Sequence, residues 1–99
     1  MSVYKTYLED IAKRKEKGLN PKPIDDDLLV KELVLQIIDE KNIYREDSLN
    51  FLIYNVLPGT TNAANEKSKF LKEIIIGKIT VKEISKIFAL YLIAHMRGV

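Results

Sequence analysis

The Pro58-Gly59 pair constrains this chain most, because it separates two stretches whose apolar residues follow helical spacing. Before the pair, apolar residues recur with that spacing at Leu49, Leu52, Ile53, Val56 and Leu57. After it, the same spacing is found at Ala63, Ala64, Phe70, Leu71, Ile74 and Ile75, and only Lys67 interrupts it. Proline cannot continue a helix, and glycine tolerates the positive φ of a chain reversal. The pattern therefore predicts two amphipathic helices packed antiparallel as a central hairpin.

Three further segments predict helices around this hairpin. The first spans about Val3–Lys17. The second follows the Gly18–Ile24 linker, opens at Asp25-Asp26-Asp27 and reaches about Glu40. We interpret the three aspartates as acidic residues of a helix start, one of which can cap it, because a calcium loop would spread its ligands over about twelve positions around a central glycine. Thr60, Thr61 and Asn62 are likewise interpreted as capping residues just before a helix. The third opens with Thr80-Val81-Lys82-Glu83, which matches the capping-box pattern.

The predicted fold class is all-α, with about five helices in antiparallel pairs that stack as an irregular helical repeat. Residues 1–99 are expected to form a single domain, since 46% apolar and 30% charged residues is an ordinary globular composition. The last helix is apolar on two faces. One face carries Val81, Ile84, Phe88, Tyr91, Leu92 and His95, and the other carries Ile87, Leu90 and Ala94. So broad an apolar surface predicts a cover on more than one side, and hence self-association.

Composition excludes several chemistries. The chain has no cysteine, which removes disulfides, cysteine nucleophiles and ligation of an iron–sulfur cluster from within it. His95 is the only histidine and lacks a neighbouring ligand, so we interpret it as a residue at the edge of the core. No signal-peptide run or membrane-length apolar stretch is present, so the chain is expected to be soluble and cytoplasmic, without a membrane partner.

A basic group offers the one candidate contact site for RNA or another partner. Its members are Lys13, Arg14, Lys15, Lys17 and Lys22. The competing interpretation is a solvated helix end whose cations match the helix dipole. Tyr4, Tyr7 and Tyr91 fall on apolar stripes and are predicted to be core residues, which leaves Tyr44 and Tyr54 for any base stacking. The net charge of +2 favours neither interpretation.

Taken in order, these features resemble a known family. The helix with a basic end is followed by GLNPKPI, the acidic helix start, the Leu57-Pro58-Gly59 turn, AANEKSKFLKEIIIGK, and a last helix ending in Met96-Arg97-Gly98. Together they resemble the N-terminal HEAT-like domain of bacterial aconitate hydratase B, the bifunctional aconitate hydratase and 2-methylisocitrate dehydratase. The resemblance covers essentially all 99 residues.

The resemblance implies a function for a parent enzyme rather than for this chain alone. Enzymes of this family isomerise citrate and isocitrate in the tricarboxylic acid cycle by means of a [4Fe–4S] cluster, and their catalytic residues lie in other domains. The chain is therefore expected to be the first portion of a non-catalytic interaction and dimerisation domain, without a cofactor of its own. Its expected partners are the remaining domains of the parent and a second copy. An RNA-binding regulatory module and a free-standing helical adaptor are the alternatives.

Overall fold

The computed structural model describes residues 3–59 and 61–96, and this part of the chain is built from helices. The α-helices are α1 (Val3–Glu16), α2 (Asp27–Ile38), α3 (Arg45–Asn50), α4 (Asn62–Ile75) and α5 (Lys86–Met96). A π-helix, Phe51–Asn55, continues directly from α3. Within the described residues the only β-type pairing is an isolated bridge between Val81 and Ile84. The all-α prediction is confirmed, whereas the HEAT-like arrangement stays a prediction.

Two of the predicted helix starts are formed by the expected caps. The Asp26 carboxylate accepts a hydrogen bond from the Leu28 N–H at 2.9 Å, which satisfies one of the free donors at the start of α2. The Thr61 hydroxyl accepts from the Ala64 N–H at 3.1 Å at the start of α4. Thr60, Arg97 and Gly98 lie outside the described residues. The local capping chemistry therefore places both helices correctly.

The central element is α2 rather than the predicted hairpin. It packs against α1, α3, the π-helix and α4, while α4 packs chiefly against α2 and α5. Leu33 and Ile37 of α2 are fully buried in the core. The chain does turn at Pro58-Gly59, where Gly59 has a φ of 145°, and the two arms touch where Lys67 of α4 donates to the carbonyl oxygens of Ile53 and Val56. Both arms pack against α2, and α4 packs against α5 as well.

The helix before the turn also ends earlier than its apolar pattern predicts. Residues Arg45–Asn50 are α-helical, Phe51–Asn55 adopt the wider π-helix, and Leu57 lies beyond the helix with half of its surface exposed. Rings from three elements pack at this point. The Tyr7 and Phe51 rings meet edge to face with centroids 5.3 Å apart, and those of Tyr4 and Tyr44 lie 5.2 Å apart. Tyr4 and Tyr7 are therefore core residues, as predicted.

The predicted capping box at Thr80–Glu83 is wrong. Helix α5 begins at Lys86, and the Ser85 hydroxyl accepts from the Phe88 N–H at 3.0 Å. Val81 and Ile84 are both buried, so the chain turns between them instead of starting a helix. Glu83 is thereby free to form a two-point ion pair with the Arg45 guanidinium.

Arg45 links three parts of the fold. Its Nε donates to the carbonyl oxygen of Ile37 at 2.9 Å, which satisfies an acceptor near the end of α2. Its terminal nitrogens bind the Glu83 carboxylate in the connection between α4 and α5. The hydrogen bond from Arg45 holds the pKa of the Glu83 carboxyl below its usual range. The guanidinium therefore ties α3 to both the end of α2 and the connection between α4 and α5.

We expect Arg45→Ala to lower the free energy of unfolding by about 2 kcal/mol, because it leaves a helix-end carbonyl and a carboxylate without their charged donor. Urea denaturation at neutral pH measures this change. The matched control is Lys78→Ala, which removes an exposed ion pair to Glu73 with a 3.8 Å separation and should cost less than about 1 kcal/mol. Equal effects of the two substitutions would contradict the linking role of Arg45.

Candidate interaction surfaces

The predicted basic residues lie at the end of α1 and in the linker that follows it. Lys13, Arg14 and Lys15 lie in the last turn of α1, and Lys17 follows in the turn after it. The Arg14 side chain is occupied locally, because its Nε donates to the Asn20 carbonyl oxygen at 2.8 Å. The three lysines of this segment are exposed to solvent. The end of α1 therefore presents a small basic surface.

Lys22 lies in the linker after α1, beside several carboxylates. It lines a concavity of about 290 Å³ together with Asp10, Asp25 and Asp26. Carboxylates close to a lysine reduce its attraction for phosphate. The structure thus does not join Lys22 to the other four residues in one uniformly basic patch, and RNA contact by the five residues stays a prediction.

The outer face of α5 is an exposed apolar surface, formed by Ile87, Leu90, Tyr91 and Ala94. These residues recur with helical spacing, and the three large side chains are 80%, 51% and 56% exposed, respectively. The opposite side of α5 is buried through Ala89 and Met96. Because no charged residue interrupts the sequence from Ile87 to Ala94, this face is apolar over about two turns of helix.

Two predicted core residues of α5 instead lie at the surface. Tyr91 and His95 are both exposed, so their assignment to the core and to its edge was wrong. The His95 Nδ1 atom lies 2.8 Å from the Tyr91 carbonyl oxygen, and the two rings have centroids 4.2 Å apart. The Phe88 ring is stacked on the other side of Tyr91. α5 is covered on only one side within the described residues, which is why these rings remain exposed.

A second apolar surface is the groove between α2 and α4. It encloses about 350 Å³, with a floor of Val34, Leu35 and Phe70. Its rim is charged and carries Lys31, Glu66, Lys69 and Glu73. Leu35 is 69% exposed, so the groove opens to solvent. The groove has the apolar floor and polar rim of a docking surface.

Lys67 is buried, although lysine side chains are usually charged at neutral pH and exposed to solvent. Only 3% of its surface is exposed, and its Nζ donates to the carbonyl oxygens of Ile53 and Val56 at 3.0 and 3.1 Å. Both acceptors lie at the carboxyl end of the π-helix, where carbonyls lack helical partners and carry partial negative charge. Burial lowers the pKa of the Lys67 amine to about 8.

The sequence indicates that this lysine is buried, but it does not indicate which groups the amine binds. Lys67 is the only polar residue on the apolar stripe of α4, so its burial follows from the period of the helix. Its acceptors could not be predicted, because they depend on where the preceding helix ends. The contact therefore emerges only when α4 and the π-helix are placed together.

The residues present do not fit an iron–sulfur cluster. The chain has no cysteine to supply thiolate ligands. Among residues 3–59 and 61–96, no three or more histidine, aspartate or glutamate side chains are grouped as a metal site would require. The three consecutive aspartates serve the start of α2 instead, through Asp26. No step of cluster chemistry can therefore be assigned to these residues.

The fold and these surfaces define an all-α domain with two exposed apolar surfaces, which are the outer face of α5 and the groove between α2 and α4. In the described ranges, no helix combines the length and the apolar character needed to cross a membrane. Residues 6–99 match the family described as the aconitate B N-terminal domain, and the chain belongs to this family. No curated protein matches the chain.

The pKa of Lys67 predicts how stability depends on pH. The unfolded chain binds more protons than the folded chain between about pH 8 and the ordinary lysine value of 10.5, so the free energy of unfolding should rise with pH in that window. Relative to Lys67→Met, the native protein should gain about 2 kcal/mol between pH 7 and pH 9.5. Urea denaturation of both proteins at the two pH values measures this gain.

The matched control for this pH effect is Lys69→Met on the same helix, because Lys69 is exposed. That variant should keep the pH dependence of the native protein. A difference between the native protein and Lys67→Met that stays constant from pH 7 to pH 9.5 would contradict the lowered pKa.

Proposed function

We propose that this chain is a non-catalytic helical interaction domain of an aconitase B-type enzyme, and that it self-associates through the outer face of α5. The full-length parent would isomerise citrate and isocitrate, with its cluster and catalytic residues in other domains. Membership of the aconitate B N-terminal family supports the assignment to such a parent. The absence of cysteine supports the proposal that the cluster is held elsewhere.

The observation that carries the interaction role is the exposure of Ile87, Leu90 and Tyr91 on one helix face. Exposed apolar side chains scattered singly are ordinary, but a continuous stripe commonly marks a contact surface. Fully burying one large apolar side chain contributes about 1.5–3 kcal/mol. Since association costs at least about 4 kcal/mol, three such side chains from each copy can support a weak dimer.

A two-fold arrangement suits this face. In such a dimer each copy offers the same surface, so the apolar stripe of one α5 meets the identical stripe of the other. The stripe contains no charged residue between Ile87 and Ala94, so like charges do not oppose each other at its centre. The remaining domains of the parent enzyme are the competing occupants of this face.

Self-association is tested by sedimentation velocity of the 99-residue chain over a range of concentrations. We expect a reversible dimer, and we expect Leu90→Lys to weaken it by a factor of about ten or more, because a charged ammonium would be buried at the contact. Leu35→Lys is the matched control, since it introduces the same charge at an exposed leucine of the groove between α2 and α4. Dimerisation of that variant should be unchanged.

Two outcomes would contradict the dimer. One is a native chain that remains monomeric at concentrations on the order of 1 mM, where even weak contacts are populated. The other is a dimer that Leu90→Lys leaves intact while Leu35→Lys dissolves it, which would place the contact in the groove instead. Added catalytic domains that bind the native chain and displace the dimer would identify those domains as the occupant.

The non-catalytic part of the proposal has its own measurement. The purified chain should not convert cis-aconitate to citrate or isocitrate, with or without reconstitution with iron and sulfide, because it lacks the ligands for a cluster. Absorbance of cis-aconitate in the ultraviolet follows the reaction. Turnover that co-purifies with the chain and is lost on its removal would overturn this part.

A further inference from the structure

The segment from Phe51 to Leu57 has a sequence pattern that predicts a different helix from the one observed. Its apolar stripe, with Leu49, Ile53 and Leu57 four residues apart, fits an α-helix that continues to Leu57. The observed segment is instead a π-helix that ends at Asn55 and leaves Leu57 outside the helix. π-Helices are rare, and they insert one extra residue into a helical turn. The apolar spacing therefore predicts an α-helix in this segment, where the structure has a π-helix.

Contacts from three other elements hold the observed register. The Ile24 N–H, in the linker before α2, donates to the Asn55 carbonyl oxygen at 2.8 Å. The Asn55 side-chain amide donates to the Tyr7 hydroxyl of α1 at 2.8 Å. The Lys67 amine of α4 donates to two further carbonyls in the same turn. Tertiary contacts thus satisfy the carbonyl end of the π-helix.

The Lys67 contact uses an acceptor that an α-helical continuation would also use. In an α-helix continued to Leu57, the Leu57 N–H would donate to the carbonyl oxygen of Ile53, four residues earlier. In the structure that oxygen accepts from the Lys67 Nζ at 3.0 Å. A carbonyl oxygen can accept two hydrogen bonds, so the constraint is geometric: the almost fully buried amine holds the Ile53 and Val56 oxygens together in the observed register through two short contacts.

We propose that Lys67 is a latch that holds Phe51–Asn55 as a π-helix, and that releasing it lets the segment continue as an α-helix to Leu57. The latch closes only when α4 is docked, because Lys67 lies in the middle of that helix. Docking of α4 therefore sets the conformation of the surface around Tyr54 and Leu57, both of which are exposed in the latched state.

Amide hydrogen exchange with NMR detection tests the latch in the 99-residue chain. In Lys67→Met the side chain keeps its apolar stem and loses its donor. We expect the Leu57 amide to become about tenfold more protected, because it gains the Ile53 acceptor. The Ile24 amide should lose about tenfold in protection, because the Asn55 carbonyl moves away when the register changes.

Two matched variants separate the latch from general loosening. Lys69→Met removes an exposed lysine of the same helix and should change neither amide. Tyr7→Phe removes the acceptor of the Asn55 side chain but leaves Lys67 in place, so Leu57 should remain unprotected. A folded Lys67→Met protein with unchanged exchange at Leu57 and Ile24 would overturn the proposal, as would a gain at Leu57 in Tyr7→Phe.

A measurement on the native chain decides the matter if Lys67→Met does not fold. A side-chain amine held by two buried carbonyls should exchange its protons with water at least about tenfold more slowly than the exposed Lys69 amine. Nitrogen-detected NMR of the lysine side chains compares the two. Slow exchange at Lys67 supports the latch, whereas equal rates at Lys67 and Lys69 would overturn it.

Discussion

The contact between a buried lysine and the end of the π-helix is the point on which much of the packing depends. The Lys67 amine donates to the carbonyl oxygens of Ile53 and Val56. The carbonyl oxygen of the neighbouring Asn55 accepts from the linker before α2, and its side-chain amide donates to α1. Helix ends expose carbonyls that must find donors when they are buried. Here these donors come from different elements, so satisfying one helix end also fixes the positions of α1, the linker and α4.

The need of helix-end carbonyls for donors also explains the role of Arg45. The guanidinium satisfies a carbonyl at the end of α2 and extends to Glu83. Both cations therefore replace a short-range helix cap with a contact that spans elements. They differ in their exposure to solvent, since Arg45 keeps a carboxylate partner near the surface, whereas burial lowers the pKa of Lys67. A structure of short helices relies on such links because each helix has few residues with which to bury its own ends.

How much of this could be predicted from the sequence depends on whether the determining contacts are local. The caps at Asp26 and Thr61 were predictable, because a side chain and an amide two or three residues later decide them. The Thr80–Glu83 pattern failed because burial of Val81 and Ile84 imposed a turn. The central position of α2 could not be predicted either, since apolar spacing shows which face is buried and not which helix covers it. The basic residues were recognised from the sequence, but the grouping of Asp10 with Lys22 in one concavity required the structure.

The exposed apolar face lies on α5, and the latch residue Lys67 lies on the preceding helix, α4. Helix α4 packs against both α2 and α5, so it connects the apolar outer face of α5 with the buried end of the π-helix. A partner that binds α5 therefore contacts a helix that packs against α4, and α4 carries Lys67. On the proposed latch, a shift of α4 would draw Lys67 away from its two carbonyl acceptors, so we expect the contact at α5 and the surface around Tyr54 to respond together.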